Sequence, residues 1–139
     1  MDLRSALKSA GASKLSFTQG DVCLVEDESV VMPQTPEGKR IIHPHGRTCI
    51  ILSNPHLSKR VTYPIVSIAP TSSQVDLKEE ADFPLSANPA NGLDKDCLVM
   101  LGHIQPVKKL DVFRKIGELS DSEWDGLCAH LLWYFDLQE

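Results

Sequence analysis

Residues 46–53 read Gly-Arg-Thr-Cys-Ile-Ile-Leu-Ser, with a single arginine at the start of an apolar run rich in β-branched side chains. A continuous apolar run of this length is typical of a strand that is buried on both faces. The polar loop before it carries His43 and His45. One permanent cation and two titratable imidazoles therefore lie at the entrance to a predicted strand over residues 48–53. This grouping suits a site that binds or cleaves a phosphodiester.

Short apolar or alternating runs on either side of this segment predict further strands. Asn91 and Gly92 give a turn signal between two of them, and Pro64 indicates an edge strand or a bulge. The candidate strands cover residues 21–26, 48–53, 61–69, 82–85, 97–101 with a continuation over 104–107 beyond a bend at Gly102, and 111–116. Five or six short strands, separated by turns and closed by one helix, predict a small and strongly bent barrel.

The end of the chain predicts an amphipathic helix. Ser120 and Glu123 have the spacing of a capping box, in which each side chain bonds the backbone N–H of the other. The predicted apolar face, which would pack on the sheet, contains Trp124, Leu127, Cys128, Leu131, Leu132 and Phe135. At the other end, apolar residues at helical spacing predict a short helical arm over residues 1–15, followed by a barrel domain over residues 16–139.

Composition and charge limit the classes of function. The 139 residues are 42% hydrophobic and 24% charged, which fits one globular domain. The net charge of −5 argues against general affinity for nucleic acid, but residues 37–60 carry five lysines or arginines and one carboxylate. A basic segment in an acidic chain can attract an anionic ligand locally, although it also fits a solvated loop.

The chain has the features expected of a cytoplasmic protein. No apolar run approaches the roughly 18–20 residues that span a bilayer, and the first residues lack the apolar core of a signal peptide. The four cysteines are scattered along the chain, which favours small buried hydrophobic residues over disulfides. They are Cys23, Cys49, Cys97 and Cys128.

Four segments, in order, resemble the MazF/PemK family of toxin endoribonucleases, whose barrel is shared with the CcdB gyrase poisons. They are Gly-Asp-Val at 20–22, Gly-Arg-Thr-Cys-Ile-Ile-Leu-Ser-Asn at 46–54, Ala-Pro-Thr-Ser-Ser at 69–73 and the closing pattern over 98–120. The resemblance implies an SH3-like barrel that forms a homodimer. It also implies cleavage of single-stranded RNA without a metal or other cofactor, as the toxin of a type II toxin–antitoxin system. In such families a cognate antitoxin occupies the RNA groove.

The resemblance carries the family's strand-opening arginine onto Arg47 and its turn threonine onto Thr71. It fails near the last strands, where the family has an acidic residue, then Gln, Ile and Arg-Thr. Residues 102–106 here read Gly-His-Ile-Gln-Pro, so the family's second arginine is absent. Gln105 occupies the region of that arginine, and His103 is a histidine that the family pattern does not contain there.

Cleavage of RNA by its own 2′-hydroxyl needs a base, a cation for the charge that develops on the phosphorane, and an acid for the leaving 5′-oxygen. A guanidinium suits the second role, hydroxyls can bond the phosphate, and imidazole suits proton transfer near neutral pH. The catalytic candidates are Arg47, Thr71, His45 and His103. The substrate-binding candidates are His43, Ser72, Ser73, Gln105, Lys39 and Arg40.

Two other interpretations stay open on the sequence alone. The barrel could bind RNA, gyrase or a partner without cleaving, as the departures at Gly102 and Gln105 suggest, or it could be an inactive structural subunit. A zinc site built from His43, His45 and either Cys97 or His103 lacks the Cys-x-x-Cys spacing of zinc sites, so no metal is expected.

Overall fold

The computed structural model describes residues 17–33 and 42–137. The predicted arm over residues 1–15 lies outside them, as do Lys39 and Arg40. Seven strands and two α-helices lie within the described residues, and we number them in chain order. They are β1 (Asp21–Val25), β2 (Arg47–Ile51), α1 (Pro55–Ser58), β3 (Ile65–Ser72), β4 (Asp82–Leu85), β5 (Cys97–Met100), β6 (Gln105–Lys108), β7 (Val112–Glu118) and α2 (Asp121–Tyr134).

The strands form one antiparallel sheet in the order β4-β5-β3-β2-β1-β7, and β6 pairs with β3. β3 changes partners along one edge: residues 65–68 pair with β6, and residues 71–72 pair with β5. Two register shifts interrupt the β1–β7 ladder, and such irregularities increase the local twist of a strand. The result is a bent, mainly antiparallel sheet with a C-terminal helix, which confirms the predicted fold class.

The central strands supply two cores, one on each face of the sheet. Alternate side chains point to opposite faces, so Cys49 and Ile51 join one cluster while Ile50 joins the other. All three are 0% exposed, and burial of each isoleucine contributes roughly 1.5–3 kcal/mol. The continuous apolar run after Arg47 is therefore explained by a strand that is covered on both sides.

The predicted capping box at the start of α2 is present. The Ser120 hydroxyl accepts a hydrogen bond from Glu123 N at 3.1 Å, and Glu123 Oε1 accepts one from Ser120 N at 2.8 Å. Leu127 is fully buried, but Leu132 and Phe135 are 46% and 52% exposed, so the predicted apolar face was too wide. At 100° per residue, Leu132 lies about 140° around the helix from Leu127, and Phe135 follows the last helical residue.

The third predicted strand was misplaced by several residues. β3 begins at Ile65 rather than residue 61, and it continues through Pro70 to Ser72, so Thr71, which was matched to the family's turn threonine, lies in a strand instead. Pro70 lies between the part of β3 that pairs with β6 and the part that pairs with β5. A proline is tolerated where the ladder is interrupted, because no N–H donor is then required.

The cysteines are free thiols, and three of them are buried as predicted: Cys23, Cys49 and Cys97. Cys128 on α2 is only partly buried. Within the described residues, no helix has the length and apolar character needed to cross a bilayer.

Candidate functional site

A tight turn over residues 43–46 leads into β2. Gly46 N donates a hydrogen bond to His43 O at 3.0 Å, and Pro44 occupies the second position, where its fixed φ is favourable. Gly46 has a φ of +97°, and an added Cβ would lie 2.5 Å from Phe113 Cζ. Only glycine fits at this point, immediately before Arg47.

The Arg47 guanidinium is held by two contacts. Nε donates to Asp27 Oδ1 at 2.7 Å, and Nη1 donates to Thr71 O at 3.2 Å. The side chains of Arg47 and Asp27 are only 11% and 1% exposed, so the ion pair is largely shielded from solvent. Because hydrogen bonds hold two of its nitrogens, the Arg47 guanidinium keeps a defined orientation.

Arg47 lines a pocket of about 510 Å³ between β1, the start of β2, the end of β3, the loop over residues 86–96, and β7. Among the described residues, its basic lining groups are His43, Arg47, Lys95 and Arg114, against one carboxylate, that of Asp94. The excess of cations favours an anionic ligand, although the chain as a whole is acidic. The other lining residues are Leu24, Gly46, Thr48, Thr71, Ser73, Gly92, Leu93, Cys97 and Ile116.

A buried asparagine organises the loop that brings Lys95 to this pocket. Asn91 is 0% exposed, and its Nδ2 donates to Ser86 O at 2.9 Å. Its Oδ1 accepts from Leu93 N at 3.1 Å, while Asp96 Oδ1 accepts a backbone N–H near the start of the loop at 2.8 Å. Because these internal bonds satisfy the buried amide, the loop has a defined shape.

The hydroxyl residues at the end of β3 are divided between two sides of the strand. Thr71 and Ser73 line the pocket, and Ser72, between them, does not. The Ser72 hydroxyl instead accepts a hydrogen bond from Gln74 N at 3.2 Å. Thr71 is 6% exposed, and its Oγ1 donates to Thr48 O at 2.9 Å. Thr71 can therefore bond a phosphate oxygen only by releasing this carbonyl.

The predicted histidines also separate. His43 lines the pocket, and its backbone N–H donates to Asp27 Oδ2 at 2.6 Å. His45 is exposed on the same turn but is not part of the pocket lining. His103 lies in the turn that precedes β6, outside the lining. The structure thus brings one of the three imidazoles to Arg47.

Gln105 makes structural contacts away from the pocket. Its Oε1 accepts from Val31 N at 2.7 Å, and its Nε2 donates to Val31 O at 2.9 Å. By bonding both the N–H and the C=O of Val31, the Gln105 side chain attaches the segment after β1 to β6. A role in binding substrate has no support from its position.

Cys97 is the thiol in the pocket wall. Burial raises its pKa to about 11, and a hydrogen bond with Thr71 offsets only part of the increase. The thiol therefore stays protonated near neutral pH and is a poor nucleophile. Among the residues that the structure describes, no group of three or more His, Cys, Asp or Glu side chains could hold a metal ion.

Sequence reasoning missed four charged residues of this site: Asp27, Asp94, Lys95 and Arg114. Lys95 lies in an acidic stretch and resembles a solvated lysine, and Arg114 is one of two adjacent cations in β7. Asp27 follows β1 in a short 3₁₀ turn. The pairing of β7 with β1 sets Arg114 opposite Leu24, and the loop over residues 86–96 brings Lys95 to the same pocket lining.

Three solved structures resemble this fold over most of the chain. The "Mycobacterium tuberculosis toxin MazF-mt6" matches with a TM-score of 0.63 and 21% identity over 86% of this chain and 99% of that chain. MazF from Deinococcus radiodurans matches with a TM-score of 0.61 and 14% identity over 88% and 98%. An endoribonuclease from a mycobacterial species, solved in complex with its cognate antitoxin, gives 0.59 and 11% over 89% and 97%. These likenesses establish the fold.

The sequence itself identifies the family. A comparison with curated proteins gives no significant match. A family profile described as "PemK-like, MazF-like toxin of type II toxin-antitoxin system" matches residues 18–135, which include every strand of the sheet and α2. The chain therefore belongs to the PemK-like, MazF-like family of type II toxins.

Proposed function

We propose that this toxin is an endoribonuclease that cleaves single-stranded RNA without a metal, by attack of the 2′-hydroxyl on the adjacent phosphorus. The observation that carries the proposal is the fixed guanidinium of Arg47 in a pocket whose charged groups are mostly cationic. Charge builds on the nonbridging oxygens as the phosphorane forms, and a preorganised cation stabilises it without reorganising.

The remaining groups of the pocket suit the other steps. The His43 imidazole is exposed at the rim and is our candidate for proton transfer at the 2′-hydroxyl or the leaving 5′-oxygen. Ser73 and Thr71 are candidate donors to the phosphate. Lys95 and Arg114 lie on different elements of the same lining, which suits contacts with the phosphates that flank the scissile bond.

The proposal predicts the products of the reaction. Purified protein with mixed-sequence single-stranded RNA in EDTA should give fragments that end in 2′,3′-cyclic phosphate, as detected by mass spectrometry. The same oligonucleotide with 2′-deoxyribose at the cleaved position should remain intact, because the nucleophile is missing. Cleavage of the deoxy substrate would contradict the mechanism. Tight binding of RNA with no cleavage would instead support a barrel that acts as a binding module.

We also propose a homodimer and a cognate antitoxin as partners, on the strength of the family. An exposed apolar group at the end of α2 offers surface that a dimer could bury. Its members, with exposures of 38–66%, are Leu132, Trp133, Tyr134, Phe135 and Leu137. Sedimentation velocity at micromolar concentration should show a dimer, and a monomer across the whole concentration range would contradict this prediction.

A further inference from the structure

The carboxylate of Asp27 touches two parts of the candidate site at once. Oδ1 accepts the Arg47 Nε–H at 2.7 Å, and Oδ2 accepts the backbone N–H of His43 at 2.6 Å. We propose that Asp27 is a positioning residue, which sets the direction of the Arg47 guanidinium and the place of His43 during RNA cleavage. This inference rests on the proposed function, and it assigns to Asp27 no contact with the substrate.

The contacts around Arg47 define which part of the guanidinium faces a ligand. Asp27 takes Nε and Thr71 O takes Nη1, so the plane of the group is fixed at two points. Nη2 makes no hydrogen bond within the described part of the chain, and Arg47 lines the pocket. The terminal nitrogens are therefore the ones that can meet a phosphate.

The charge of Asp27 matters as well as its shape. An arginine that is 11% exposed has little water around it, and it keeps its charge when buried. Without an anion at Nε, the guanidinium would turn toward another acceptor. Effective catalysis depends on such directions, because a misplacement of about 1 Å can lower a rate by about 100-fold.

An amide at this position cannot replace the carboxylate. Asparagine has one acceptor oxygen, whereas Arg47 Nε and His43 N each need one. Asp27→Asn must therefore lose one of the two bonds, and it places an NH₂ group against the N–H that is left unpaired. The substitution changes few atoms and still removes the proposed positioning.

The chain supplies a matched control in Asp21. It is also almost fully buried, at 4% side-chain exposure, and it also holds one cation and one backbone N–H. Its Oδ1 lies 3.2 Å from Lys115 Nζ, and its Oδ2 accepts from Thr18 N at 2.9 Å. Neither Asp21 nor Lys115 lines the pocket. Asp21→Asn thus neutralises a buried carboxylate that holds a cation and a backbone N–H, without touching Arg47, although its partner Lys115 is 40% exposed.

Single-turnover and steady-state cleavage assays test the proposal. Asp27→Asn should lower kcat by about 100-fold with little change in KM, while Asp21→Asn keeps the wild-type kcat. In an Arg47→Lys background, which has no Nε–H, Asp27→Asn should lower kcat by less than it does in the wild type, because only the contact with His43 N remains to be lost. An equal loss of kcat in both backgrounds, or an equal loss in Asp21→Asn, would overturn the inference.

A spectroscopic measurement on the wild-type protein covers the case in which Asp27→Asn does not fold. The Arg47 Nε–H, assigned by its disappearance in Arg47→Lys, should exchange with water much more slowly than that of the exposed Arg114. Equal exchange rates would show that Asp27 does not hold Arg47. This result does not depend on RNA cleavage, so failure of the proposed function and failure of the positioning role remain distinguishable.

Discussion

Replacing Arg47 with lysine should lower the rate of RNA cleavage by about 10²–10³-fold, and alanine should lower it at least as much. Lysine keeps the positive charge but loses the planar fork that reaches Asp27, Thr71 O and the phosphate together. The measurement is the first-order rate of cyclic phosphate formation with saturating enzyme. Full activity in the lysine variant would remove the guanidinium from the mechanism.

The alanine variant needs a check of folding, since it leaves the Asp27 carboxylate buried without its ion pair. Removing one partner of a buried pair typically costs about 3–5 kcal/mol. Arg60→Ala is a charge-matched control, because Arg60 is exposed and lies outside the pocket lining. Within the described residues, Arg60 makes its hydrogen bonds through backbone groups, including a carbonyl that accepts from Lys109 Nζ at 2.7 Å, and alanine retains those groups. A similar loss of cleavage in Arg60→Ala would point to general electrostatics rather than to the site.

The features that the sequence predicted correctly are those determined by residues close together in the chain. The Ser120 capping box, the buried run after Arg47 and the strand at residues 82–85 all follow from patterns within a few residues, and all three are present. The boundaries of β3 were missed because its end is determined by pairing with β5 and β6, which lie 26 or more residues later in the chain.

The candidate site was only partly accessible to sequence reasoning for the same reason. Arg47 stands out because it opens an apolar strand, but Arg114 and Lys95 become neighbours of Arg47 only through the fold. Gln105 shows the opposite case. A linear comparison assigned it to the substrate, and its contacts with Val31 could not be foreseen from residues 74 positions apart.

Gly92→Ala should lower the free energy of unfolding by about 3 kcal/mol and the Tm by roughly 10 °C. Gly92 has a φ of +69°, and an added Cβ would overlap Ile116 O and lie 2.7 Å from Ile116 C. Neither group is the end of a flexible side chain, so the loop over residues 86–96 must move away from β7. Ala90 O accepts Glu118 N there at 2.9 Å, and that bond would be strained.

The same movement should reduce RNA cleavage, because Leu93 and Lys95 reach the pocket from this loop. Gly102→Ala is the matched control, because an added Cβ there meets no atom within 4 Å. Its free energy of unfolding should differ from that of the wild type by less than about 0.5 kcal/mol. Urea denaturation followed by tryptophan fluorescence measures both variants. Equal free energies of unfolding for the two variants would mean that the close approach of Gly92 to β7 does not stabilise the fold. The cationic side of the pocket would then have to be held in place by contacts other than this one.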